Sequence, residues 1–226
     1  MPDTAFGVRI APWAGVGFAL LMGASLVIIN DAPGARSSDD AITSFYASSR
    51  FRPLEITVLY LLPLSGVCFL WFLGVLRYRL GMLEGSKVGL IATVQYGSGI
   101  IFLALLFTAG AGFGSGIATK LTGAQLPDAS SLRQILAFSD ATIYIYATRA
   151  SAIFVLTTSM VGLRTRTLPR LLSYAGILAA LALLAATSLS LAFVLVFPAW
   201  VLVVSIEQLV RRHTGAREII GKPGTP

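Results

Sequence analysis

The chain is poor in charge. Only 12% of its 226 residues are Asp, Glu, Lys or Arg, against roughly 25% in a soluble domain. It has one cysteine, Cys68, and one histidine, His213. A lone cysteine excludes an intramolecular disulfide. A lone histidine in a basic C-terminal stretch argues against bis-histidine haem and histidine-based zinc sites within an apolar region. There is no HExxH, no serine in a nucleophile elbow, no Walker loop and no dinucleotide fingerprint. No paired carboxylates and no titratable group fall midway along the long apolar runs. Aspartyl-type intramembrane proteolysis and proton-coupled transport therefore lack their usual parts. No catalytic residue, metal site, cofactor site or cofactor is expected, and the chain reads as non-enzymatic.

What it has instead is apolar length. Hydrophobic residues make up 56% of the chain and the mean hydropathy is +0.81, which points to lipid as the solvent. A spanning helix needs about 20 apolar residues. The sequence divides into six such runs, at about 11–30, 54–76, 88–109, 141–163, 171–187 and 189–210. The expected fold is all-α: a polytopic membrane helical bundle of six transmembrane helices plus two short outer amphipathic helices, one domain over 1–226. The first run is preceded by Arg9 alone and has no clear cleavage site, so it reads as a retained helix.

The net charge of +7 does not point to nucleic acid, because the basic residues gather at the ends of apolar runs. With the N-terminus inside, eleven of the 17 Lys and Arg residues fall on the inner side, among them Arg77, Arg79, Arg164, Arg166, Arg170, Arg211 and Arg212. That bias places both termini in the cytoplasm.

Several local features follow from spacing. Pro12 suits a first helical turn, and Trp13 an interface anchor. Gly15, Ala19 and Gly23 allow close helix approach. Ser38 or Asp39 caps a short outer helix with Ile42, Phe45, Tyr46 and Ser49 on one face; it lies flat on the membrane or is an ordinary ordered loop. Pro63 with Ser65-Gly66 should kink or loosen the second span. The run 110–116, GAGFGSG, reads as a flexible helix exit rather than a phosphate cradle, since no strand precedes it. Pro127-Asp128 is a turn, and Ser130 or Ser131 caps a second outer helix through Leu132, Ile135 and Leu136. Thr157, Thr158 and Ser159 read as packing hydroxyls. The alanine-rich fifth run is thin and is expected inside the bundle. Glu207 pairs with Arg211 one turn on, and 211–226 reads as a basic tail. Leu76-Arg77-Tyr78-Arg79 and Leu163-Arg164-Thr165-Arg166 each end a span preceded by an outer segment. This is either a weak repeat or two helices stopped alike.

The unusual residue is Arg149. It precedes Arg164 by fifteen positions, which is about 22 Å of helix in a core of roughly 30 Å, so it lies in the outer third. Glu55 and Tyr60 fall at similar depth on the second span, and Asp140 lies above Arg149 on its own helix. The expected polar cluster is Arg149 paired with Glu55, or failing that Asp140, beside Tyr60, Tyr144 or Tyr146. Such a group fixes helix packing, holds an anionic ligand or lipid head group, or carries a gating charge.

The stretches DDAITSFYASSRFR at 39–52, FLWFLGVLRYRL at 69–80, GLRTRTLPRLLSYAGIL at 162–178 and FPAWVLVVSIEQL at 197–209 resemble uncharacterised multi-pass membrane proteins of actinobacteria, a domain of unknown function. The resemblance implies a bacterial inner-membrane location and no activity. The expected role is a non-enzymatic integral membrane protein that binds an anionic lipid or serves as a subunit of a larger membrane complex. The alternative is a small transporter or channel. The lipid bilayer, anionic lipid and other membrane subunits are the expected partners, and nucleic acid is not.

Overall fold

The computed structural model describes residues 3–81, 89–185 and 190–220, with side chains over 10–78, 89–185 and 190–211. The described residues contain helices and no strand. The long helices are α1 (Asp3–Asp31), α4 (Leu62–Gly81), α5 (Gly89–Phe113), α8 (Thr148–Thr165), α9 (Arg170–Ala185) and α10 (Leu191–Ile220). The short ones are α2 (Asp39–Ala47), α3 (Arg52–Ile56), α6 (Ser115–Leu121) and α7 (Ala129–Asp140). Four helical stretches are long and apolar enough to cross a membrane: Ile10–Asp31, Ser49–Tyr78, Gly89–Phe113 and Leu191–Arg211. α9 is apolar but shorter, with 16 residues. α8 is not among the four, because Arg149 and its threonines and serines dilute its apolar run.

α1, α4, α5, α8 and α10 pack in a ring in that order, closed by α10 against α1; α9 lies outside, on α8 and α10. The axis of the ring is filled by phenylalanine. Phe18, Phe69, Phe102, Phe154 and Phe197 come one from each of the five helices, and their ring centroids lie 4.7–6.2 Å apart, mostly edge to face. That geometry suits the ring quadrupoles. All five side chains are buried. In a bilayer the tails are as apolar as the core, so this fit, rather than escape from water, holds the helices together.

Glycine brings the helices close at three similar contacts. A methyl group at Gly15 would stand 2.0 Å from Ser205 Oγ, at Gly112 1.9 Å from Ser139 Oγ, and at Gly176 2.1 Å from Ser159 Oγ. Each contact seats a small hydroxyl of one helix in the notch of another. Gly112 belongs to the run expected to be a flexible exit. The structure corrects that expectation: α5 continues through Phe113 and α6 begins at Ser115. Gly110, Gly114 and Gly116 meet Leu62, Val58 and Tyr46, so the small residues form a packing face.

Two of the long helices open on π-helical turns, Thr57–Leu61 before α4 and Ala141–Ala147 before α8. The first stands just ahead of Pro63, whose missing N–H and ring loosen the preceding turn. The Leu62 N–H reaches back to Thr57, so the loosening expected at Pro63 takes the form of a π turn. Both segments thus share a short helix, a π turn, a long helix and an Arg-x-Arg end, so the likeness between them lies in backbone geometry as well as in residues.

Other boundaries shift. α1 begins at Asp3, so Pro12 lies inside the helix rather than in its first turn. α10 runs to Ile220, and the stretch expected to be a tail is helical that far. α9 lies at the periphery, not inside: its small residues Ser173, Gly176 and Ala180 face the bundle while Leu171, Leu178 and Leu181 point away. Residues 82–88 and 186–189, where the second expected run joins the third and the fifth joins the sixth, lie outside the described residues.

Candidate functional site

The ends of the bundle differ. Gly15 on Ser205 sets the start of α1 beside the end of α10, so Arg211 shares an end with Ile10, and helix direction puts Arg77, Arg164, Arg166 and Arg170 there too. Arg164, Arg166 and Arg170 are exposed around the α8–α9 turn. That turn is made by Arg166 in the left-handed conformation, with φ 56° and ψ 25°, and by Leu168 lodged on Gly162. Glu207 accepts a 2.6 Å hydrogen bond from Arg211 Nε, as one helical turn of spacing requires.

The opposite end is capped by α2, α6 and α7. Ser38 caps α2 by accepting from the Ala41 N–H. Ile42 and Tyr46 are buried while Asp40, Thr43 and Ser44 face out, so the apolar face of α2 covers the bundle. Ser49, expected on that face, lies beyond α2 and is exposed. Asp128, not Ser130 or Ser131, caps α7: its carboxylate accepts from the Ser131 N–H at 3.2 Å and the Ser131 hydroxyl at 2.7 Å, with Ser130 also donating. These donors hold its carboxyl down at about 2. Lys120 donates to the Tyr46 carbonyl and stands 3.9 Å from the centre of the Phe51 ring. Arg133 donates to the Ser37 carbonyl at 3.0 Å and pairs with Asp39. The cap is thus stitched by cations from the second half of the chain onto carbonyls of the first.

The polar cluster expected from depth is split by the structure. Arg149 is half-buried, and its Nη1 donates to the Ile145 carbonyl of its own helix at 3.1 Å. Among the described residues no ion pair joins it to Glu55 or Asp140. Tyr60 and Tyr146 are exposed. Counting residues fixes height in the bilayer but not direction around the helix, and the π turn between Asp140 and Arg149 changes that direction again. Asp140 and Tyr144 do come together, in a cleft at the end capped by α2 and α7 that also takes in Arg36 and Asn30. Arg36 was missed as a partner because it lies in a loop, where helical spacing has nothing to say.

No family model, curated protein or solved structure matches the chain. Its functional reading therefore rests on its own geometry.

Within the long helices the polar groups serve packing. Thr157 and Thr158 donate to the Ile153 and Phe154 carbonyls, each at 2.7 Å. Gln95 Nε2 donates to Thr158 Oγ1 at 3.0 Å and ties α5 to α8. Among the described residues, Ser159 Oγ and Trp200 Nε1 are buried without a hydrogen-bond partner; both lie over Gly176.

Proposed function

We propose that the chain is a six-span integral protein of a bacterial inner membrane, with both termini in the cytoplasm, that performs no chemistry and holds anionic lipid at its basic rim as a stable subunit of a membrane assembly. The observation that carries this reading is the phenylalanine plug. Five buried rings occupy the axis of the bundle, where a conducting or proton-relaying protein keeps water or titratable groups. The exposed Arg164, Arg166 and Arg170 supply the attraction to anionic head groups, about 1 kcal/mol per basic residue near such a surface.

Retention of phosphatidylglycerol over phosphatidylcholine by the purified protein, followed by native mass spectrometry, tests the lipid arm. Arg166→Gln with Arg170→Gln should weaken the preference about tenfold or more, given those magnitudes. Proteoliposomes should show no protein-dependent flux of ions or small solutes. The alternative, a small transporter or channel, draws on the π turns near Pro63 and after Asp140, which are features common at moving sites. It requires the plug to part, and measured flux would establish it.

A further inference from the structure

The outer cleft has a definite charge layout. The loop 32–38 turns back on itself, with the Ser37 N–H bonded to the Gly34 carbonyl at 3.0 Å, and Arg133 clasps it to α7. Beneath the loop is a space of about 280 Å³, walled by Ile29 and Asn30 at the end of α1, Arg36 in the loop, and Ala137, Asp140 and Tyr144 at the α7–π junction. Asp140 is half-buried at its inner wall. The loop lies against it closely: a methyl group at Gly34 would stand 3.9 Å from Asp140 Oδ2. Arg36 is exposed at the mouth, and among the described residues the two do not form an ion pair. Burial pushes the Asp140 carboxyl up, while Arg36 and the Ala35 N–H oppose that push and favour the charged form.

A carboxylate inside and a guanidinium at the rim reject ions of a single sign. A free cation meets Arg36 first, and a free anion is repelled by Asp140. A short molecule with a positive and a negative end satisfies both, with its methylenes against Ile29 and Ala137. The phenol of Tyr144 offers the positive end a further oxygen and a ring face, while Arg36 suits a phosphate in the fork geometry of guanidinium. The cleft opens where the apolar run of α1 ends, at the level of lipid head groups. The π turn that carries Tyr144 is a further irregularity of the kind found at binding sites.

We propose that this cleft binds a phosphoethanolamine group, with the ammonium on Asp140 and Tyr144 and the phosphate on Arg36, taken either from an outer-leaflet lipid or as the free compound. The site is independent of the basic inner rim.

The purified full-length protein in detergent is titrated with dioctanoyl phosphatidylethanolamine, dioctanoyl phosphatidylglycerol and free O-phosphoethanolamine, and bound species are counted by native mass spectrometry. The ethanolamine lipid should bind about tenfold more tightly than the glycerol lipid through this site, the scale of one charge-assisted hydrogen bond. Asp140→Asn should erase that preference, and Arg36→Gln should weaken the ethanolamine lipid several-fold. Binding of the lipid alone assigns the group to the bilayer; binding of free O-phosphoethanolamine as well assigns it to a soluble source. Arg36 is exposed, so its variant keeps the test valid if Asp140→Asn fails to fold. Equal binding of the two lipids by protein whose basic rim carries Arg166→Gln and Arg170→Gln, or a preference that survives both cleft substitutions in folded protein, overturns the proposal.

Discussion

In α8 the residues shut away inside the bundle include Thr148, Ser151, Thr157, Thr158 and Ser159; in α9, packed beside it, the residues left outermost are Leu171, Leu178 and Leu181. The buried helix is the more polar one and the exposed helix the greasier one. A soluble protein arranges neighbouring helices the other way. The difference teaches what each helix faces. α8 is enclosed by α5, α9 and α10, and Thr148, Ser151, Thr157 and Thr158 donate to backbone carbonyls three to five residues back, so it has no need of an apolar surface. α9 presents one flank to the surroundings, and that flank is leucine.

The largest effect should separate the two helices directly. Phe154→Ala removes a ring from the plug and should cost about 3–5 kcal/mol, whereas Leu178→Ala on α9 should change stability by less than about 0.5 kcal/mol; unfolding in mixed micelles by denaturant measures both. A slightly smaller effect is sharper in meaning. Leu178→Arg should oppose membrane insertion by about 2.5–3.5 kcal/mol, read by glycosylation-tagged insertion. On a helix exposed to water it would be harmless, and a neutral result would break the comparison.

The junction between the two helices comes next. Gly176→Ala should destabilise by about 1–3 kcal/mol, because the added methyl overpacks the contact. The clash is with Ser159 Oγ at 2.1 Å, while Ser159 Cβ stands back at 3.3 Å, so adding Ser159→Ala should restore much of the loss. Trp200 Nε1, 2.7 Å from the new methyl, keeps the rescue incomplete. The smallest effect lies at the cap above α8. Asp128 is held at about 2 in the folded chain against an ordinary 3.8. A depressed carboxyl stabilises above its unfolded pKa, so the cap's contribution is present above about 3.8 and fades as the pH falls through about 2. Amide exchange at the start of α7 should quicken over that interval, and Asp128→Asn, which retains a capping oxygen, should remove the dependence.

These helices also show how far the residues alone lead. The apolar runs place α1, α4, α5 and α10 well, because length and hydropathy are sums over many residues. Ser38 as a cap and the Glu207–Arg211 pair are legible because their chemistry is local. The π turns are not, since a reading by periodicity assumes 3.6 residues per turn throughout. The plug was invisible because five of 13 phenylalanines meet only through tertiary packing. The position of α9 was misjudged because alanine content says that a helix can be approached, not from how many sides. Of the expected polar cluster, Asp140 and Tyr144 share the cleft, Arg149 turns to its own backbone, and Arg36 emerged only once the loop was placed.

The contact of α10 with α1 joins two long helices that lie far apart in the chain. During synthesis the ring stands open on one flank until α10 leaves the ribosome, and the phenylalanine of α1 waits for its partner Phe197. A chain halted before that point presents the bilayer with an unshut seam lined by Phe18, Phe69 and Phe102, a surface that quality-control proteases of the membrane are well placed to read.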